Sequence, residues 1–474
     1  MPINHSVTVN EQGTSVMTPV TAESGIPFVV GLSPVHTADH PATPGIPVLC
    51  YTWDECLDKL GYADDWETYN LCELMYSQFQ LYGHGPVVFL NLLDPSTMSS
   101  AKTATSYTVL NHKANLGSKA IKDSNLVVKN GNETLVLDTD YSAYFVDGDL
   151  IVELLSAGSA YSATTLTISC NAVNPASVDA SAVAAAMEKV ELCMSMFGLM
   201  PDLIAAPGFS ENSAVAAVMA TKAHSISGLF RGKAVVDVPC DATSGAVTYD
   251  AVLTKKNALA MTDENQIVCW PMCALGDKKY HMSTHAIGCM ATVDADFGAP
   301  YASPSNHSIK IDRLCLADGT TILLSLQQAN YLNTQCGVVT GLNFMSSYKL
   351  WGNYTACYPV NTDVKDYFIP VSRMFDWVAN SIIRTFWSQL DKPMTRRFID
   401  SILDSVNIWM NGLTGSGYLL GGRVVMLESE NPITNLMAGI VKFHVYMTPP
   451  SPAQEIDFVL EYDASYVQSA LAAE

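Results

Sequence analysis

The chain has 474 residues, with 25 Lys and Arg against 46 Asp and Glu, for a formal net charge of −21. That balance argues against broad binding to a phosphate backbone, which needs a basic face. Apolar residues make up 49% and charged residues 15%, which excludes disorder and, at about 100–200 residues per domain, predicts roughly two to four domains.

So few charges leave two readings open: a monomer with large cores, or a subunit that buries apolar surface in an assembly. The N-terminus, Met1-Pro2-Ile3-Asn4-His5-Ser6, has no basic or apolar leader region. No apolar run reaches the roughly 18 residues of a membrane helix. The 12 cysteines, spread from Cys50 to Cys357, are expected to be reduced, buried small hydrophobes. The expectation is a protein made and assembled in a cytoplasm.

In chain order, residues 1–24 read as an arm. His5-Ser6-Val7-Thr8-Val9-Asn10 alternates like one short strand, with no second strand near enough to pair. Residues 25–95 read as the first part of an α/β core. Phe28 to Leu32 and Val87 to Leu92 are buried strands. Thr52 and Glu55 have capping-box spacing before a helix stopped by Gly61, and Leu71, Leu74, Met75 and Phe79 keep helical spacing. Residues 96–172 read as an inserted all-β domain, with a hairpin around Asn130-Gly131 and strands at 150–155 and 166–169.

Residues 173–370 resume the core. Val183, Ala186, Met187, Val190, Met194 and Phe197 form a helix face. Strands are expected at 203–206, 234–238 and 266–270, with helices at 212–224 and around 249–260. This alternation implies parallel strands with right-handed crossovers. Residues 371–451 carry helix faces at Phe375, Val378, Ile382 and Phe386, and at Phe398, Ile402, Val406, Trp409 and Leu413. Pro393 lies near the start of the second helix, and strands are expected at 424–427 and 441–447. Residues 452–474 form a C-terminal arm, with a strand at Ile456 to Tyr462 after the stiff Pro449-Pro450-Ser451-Pro452.

The search for chemistry finds no constellation. Cys269, Cys273, His281, His285 and Cys289 are zinc-type ligands within 21 residues, but their spacing fits no standard zinc module. Core packing is the favoured reading, and no metal or other cofactor is expected. Gly415-Ser416-Gly417 with Gly421-Gly422 follows a helix, so the dipole there is wrong for a phosphate. Asp294 and Asp296 alone are weak evidence for a divalent cation. In an α/β enzyme, Ser210, Glu211 and Asp237 would stand at strand C-termini as nucleophile, base and acid. Turn and N-cap roles are the favoured reading of them.

Read in order, the chain resembles the contractile tail sheath proteins of myophages, phage-tail-like bacteriocins and related injection machines. The resemblance runs through Ile26 to Gly31, Trp53 to Gly61, Tyr82 to Val88, Leu203 to Gly208, Val235 to Pro239, Ala302 to His307, Trp351-Gly352-Asn353 and Val371 to Phe375. It implies a multi-domain α/β (α+β) fold: a sheath-type α/β core, an inserted all-β domain, and extended N- and C-terminal β-strand arms. It further implies a structural, non-enzymatic subunit of a homo-oligomeric sheath of stacked rings, which contracts from a metastable extended state. Its partners would be a tail tube protein and baseplate and terminator proteins, with no nucleic acid and no direct membrane insertion. Strand exchange between subunits would use Val7 and Val9 at one end and Ile456, Phe458, Leu460 and Tyr462 at the other. Pro19, Pro449, Pro450 and Pro452 would be arm linkers. Lys392, Arg396 and Arg397 would face the tube, or stand as a solvated helix start. The rival reading is a cytoplasmic α/β enzyme with a β insertion.

Overall fold

The computed structural model describes residues 17–345 and 347–471; Val7, Val9 and the strand expected at residues 5–10 lie outside the described residues. The core is an eight-stranded sheet. In chain order its strands are β1 (Pro27–Gly31), β2 (Val48–Cys50), β3 (Val87–Asn91), β4 (Leu203–Ala205), β5 (Lys233–Asp237), β6 (Gln266–Cys269), β7 (Val338–Asn343) and β8 (Tyr348–Trp351). The spatial order is β2-β3-β1-β4-β5-β6-β7-β8. β3, β1, β4, β5, β6 and β7 run parallel, while β2 and β8 close the sheet antiparallel. The central strands are buried along their whole length, which is why they read as unbroken Val/Ile/Leu runs rather than alternating ones.

Local signals set the helices. α1 (Trp53–Leu60) starts at Thr52, whose hydroxyl accepts from the Glu55 N–H, and stops at Gly61 with φ +67°. The returning Glu55 carboxylate accepts from Tyr51 N–H, one residue before the cap. α2 (Leu71–Tyr76) passes into a π-helical turn through Tyr82. The face expected from Val183 to Phe197 breaks into Ala180–Ala186, a 3-10 stretch Met187–Leu192, and Cys193–Phe197. α3 (Ser213–His224) is capped by Asn212. The helix expected around 249–260 is shorter, Val252–Ala258. α4 (Met282–Phe297) is buried on nearly every side.

Between β3 and β4 the chain builds a β unit with its own core, including Val128, Leu150, Val152, Leu166 and Ile168. A five-stranded and a three-stranded sheet form it. Its hairpin pairs Asn130 with Glu133, so Gly131 and Asn132 are the turn residues. Gly131 has φ +59°, as this turn demands.

The C-terminal region has a further core. α5 (Ile369–Phe386) and α6 (Arg396–Gly415) contribute Met374, Trp377, Val378, Ile402, Val406 and Met410 to it. Thr395 caps α6, so Pro393 lies before the helix rather than in its first turn. β9 (Gly421–Val425) and β10 (His444–Thr448) form a two-stranded sheet, β10 starting three residues later than expected. Asn407 of α6 fastens β9 by accepting from Val424 N–H and donating to Val424 C=O. The segment 449–463 joins no ladder among the described residues, although a strand is expected at 456–462, and a short helix α7 (Ser465–Leu471) follows.

Buried charges join α5 to the α/β core. Arg373 donates to Asp294 (3.0 and 2.5 Å) and to Asp202 (2.9 Å). Lys233 meets Asp376 at 2.9 Å and donates to Asn265 at 2.7 Å. Each charge has an opposite partner, the condition under which burial is tolerated.

Candidate functional site

The residues weighed as catalytic candidates and set aside do come together, but in a packed structural knot. Ser210 Oγ accepts from Asp237 N–H and lies 3.3 Å from its carboxylate, and the Asp237 carboxylate also accepts from Ser283 N–H and Oγ. Glu73 accepts from His281 N–H, His281 Nδ1 and Thr284 Oγ1. Glu73 and Asp237 therefore hold the first turn of α4, where negative charge is favoured. Burial opposes charge on His281, but Glu73, Asp237 and Glu211 outweigh it and lift the imidazolium pKa to about 10. Burial pushes the Asp237 carboxyl up, and the Glu211 carboxyl up to about 7. Ser210 is fully buried and its hydroxyl bonds to Asp237 rather than to an imidazole base, which is not the pairing that activates a serine nucleophile.

The zinc-type side chains have other occupations. His285 Nδ1 meets Tyr82 Oη at 2.9 Å, and burial lowers its pKa to about 3. Cys273 and Cys289 lean on the carbonyls of Tyr280 and Pro304. No group of three His, Cys, Asp or Glu residues among the described residues is arranged to hold a metal ion. Asp294 is taken by Arg373, while Asp296 is exposed.

The unusual features lie at the chain ends. Among the described residues, β9 pairs only with β10, so neither strand has a ladder partner on its other side; on β9 that side is met at Val424 by the Asn407 side chain. An isolated two-stranded sheet is marginal in water, and open edges invite another strand. Beyond β10, Pro449 is buried and Pro450 and Pro452 are half-buried. Tyr354 Oη donates to Gln454 at 2.7 Å. From there the chain carries Ile456, Phe458, Leu460 and Tyr462 at 71%, 80%, 95% and 81% exposure. Their spacing of two puts them on one side of an extended chain.

Lys392, Arg396 and Arg397 are exposed at the start of α6. Arg396 is paired with Asp400 at 2.9 Å. Cations at a helix N-terminus oppose the macrodipole, so helix stability does not explain this cluster. Pro19 lies in the segment 17–24, which runs along α5 and α6. The buried roles of Arg373 and Lys233 are not among the sequence expectations; Arg373 is a lone cation beside Val371, Met374 and Phe375, whereas Lys233 follows Arg231 by two residues and gives no such signal.

No family model matches the sequence. The chain is 25% identical over 406 residues to a tail sheath protein of Burkholderia phage BcepMu, covering 81% of this chain and 83% of that protein. It is 27% identical over 282 residues to a putative prophage major tail sheath protein of Pseudomonas aeruginosa strain UCBPP-PA14, covering 58% of this chain and 69% of that one. Its fold is similar to the helical sheath of the anti-feeding prophage in its contracted state, with a TM-score of 0.59 at 12% identity, over 98% of this chain and 100% of that chain. The likeness to contractile tail sheath proteins thus holds in sequence and in fold.

Proposed function

We propose that the chain is a structural subunit of a contractile tail sheath, located in a virion or tail-like particle. The observation that carries the reading is the match between the two-stranded sheet β9–β10, which has no further ladder partner among the described residues, and the exposed C-terminal segment with apolar residues at spacing two, in a chain similar to sheath proteins. Each subunit has two strand sides without a ladder partner among the described residues, one of them met at Val424 by Asn407, and, on this reading, one strand from each end. Val7 and Val9 belong to one donated strand; Ile456, Phe458, Leu460 and Tyr462 belong to the other. Two edges accepting two strands leave none unpaired within the lattice, as in strand addition elsewhere. Register follows from the alternate apolar side chains.

Subunits stack as rings around a tail tube, with baseplate and terminator proteins at the ends. Lys392, Arg396 and Arg397 face the tube. Contraction does work because the short state has the lower free energy. Burying a few hundred Å² of apolar surface per subunit at about 25 cal/mol per Å² yields several kcal/mol. Summed over a polymer, this drives a tube through an envelope without a nucleotide.

Negative-stain microscopy of the purified full-length protein tests the reading, with a variant lacking residues 455–474 beside it. The full chain is expected to form hollow striated tubes. The shortened chain should stay as discrete particles with unchanged thermal unfolding. Discrete particles from both, or tubes from both, would refute it.

A further inference from the structure

The segment 17–24 crosses α5 and α6, and its contacts follow one pattern. Met17 N–H donates to Ser405 Oγ at 2.9 Å, Val20 N–H to Thr385 Oγ1 at 2.9 Å, and Ala22 N–H to Ser381 Oγ at 2.8 Å. Each of these hydroxyls also sits within donating distance of the carbonyl four residues back in its own helix: Ser405 to Ser401 at 2.6 Å, Thr385 to Ser381 at 2.8 Å, Ser381 to Trp377 at 2.8 Å. Thr385 has a second, longer option at Val20 C=O, 3.4 Å.

The chemistry of a hydroxyl gives this pattern a meaning. It has one proton and two lone pairs. A helix carbonyl that takes the proton leaves the oxygen as an acceptor. Ser381 and Thr385 are four apart, so they stand on one face of α5, and Ser405 adds a third acceptor from α6. All three are buried, where an unmet polar group is costly. The segment supplies N–H groups at residues 17, 20 and 22, while Pro19, which has none, falls in the gap. Trp377 Nε1 donates back to Ala22 C=O at 2.7 Å, and Met17 and Ala22 pack against the same apolar core.

We infer that Ser381, Thr385 and Ser405 form a hydroxyl row that anchors the root of the N-terminal arm to its own body. A pull on the arm is then delivered at residues 17–22 to α5 and α6. From there it passes to the α/β core through Arg373 and Asp376. The anchor stands on geometry alone; the pull rests on the sheath reading.

Amide exchange of the full-length protein, kept below its assembly concentration, tests the anchor. The amides of 17–24 should exchange about tenfold or more slower than in the corresponding free peptide. Ser381→Ala with Thr385→Val and Ser405→Ala should remove that protection while α5 and α6 keep theirs. Val20→Pro leaves the helices untouched and deletes one arm donor, so it should give a partial loss even if the helix variant misfolds. Peptide-like exchange of 17–24 in the wild type, or unchanged protection in Val20→Pro, overturns the anchor. The tubes test the pull: those of the triple variant should fall apart at lower denaturant than wild type, and equal resistance overturns it. Absence of tubes from the wild type would refute the sheath reading and leave the exchange result standing.

Discussion

Replacing Leu460 by Ser should weaken assembly without weakening the subunit. Leu460 is 95% exposed and Phe458 80% exposed, so nearly all of each side chain is available for burial by a neighbour. Full burial of a Leu or Phe is worth about 1.5–3 kcal/mol. At 1.4 kcal/mol per tenfold, Leu460→Ser should raise the concentration needed for assembly about 10- to 100-fold. Phe458→Ser lies two residues away on the same side, so the double variant should raise it further, to about 100- to 10,000-fold. Val459 is equally exposed, at 87%, but faces the other way; Val459→Ser should move the threshold much less. The assay is pelleting of tubes across a concentration series, with thermal unfolding of the unassembled subunit as control. If Val459→Ser matches Leu460→Ser, the side-chain alternation plays no part. If Leu460→Ser has no effect, the segment is not a donated strand.

Arg373→Met should destabilise the body by about 3–5 kcal/mol, because it strands Asp202 and Asp294 as uncompensated buried charges; a change under about 1 kcal/mol in urea unfolding would contradict this. Glu211→Gln should alter the pH dependence of stability. The folded Glu211 pKa is raised to about 7 from an ordinary value of 4.5, chiefly by burial, with Asp237, Asp241 and Glu73 adding to the rise and His281 opposing it. The protonated form is therefore favoured by folding: its contribution is complete below pH 4.5 and is lost as pH rises toward 7. Wild type should lose stability across that window relative to the Gln variant, and parallel curves would contradict the assignment. Gly352→Ala should cost about 1–3 kcal/mol, since Gly352 has φ +143° and an added Cβ would meet Val339 Cα at 3.0 Å; unchanged thermal unfolding would refute it.

Much of the fold was legible in the residues. The unbroken apolar runs at 28–32, 87–90 and 234–236 marked strands buried on both faces. Thr52, Gly61 and Asn212 marked helix ends because capping is a bargain among near neighbours. The exposed ends were legible in part: period two at 456–462 showed an extended apolar segment, although this chain provides it with no ladder.

Sequence by itself determined the alternation of strand and helix, the apolar faces of α5 and α6, and the amphipathic tail, since each depends on spacing within a few residues. Tertiary structure alone decided that β9 and β10 would pair with each other and stop. It also decided that Arg373 would meet carboxylates 79 and 171 residues away, and that Ser381, Thr385 and Ser405 would line up under the N-terminal segment. A hydroxyl, a guanidinium or a strand edge carries its bonding capacity in its own atoms, but what satisfies it is whatever the rest of the chain brings within 3 Å.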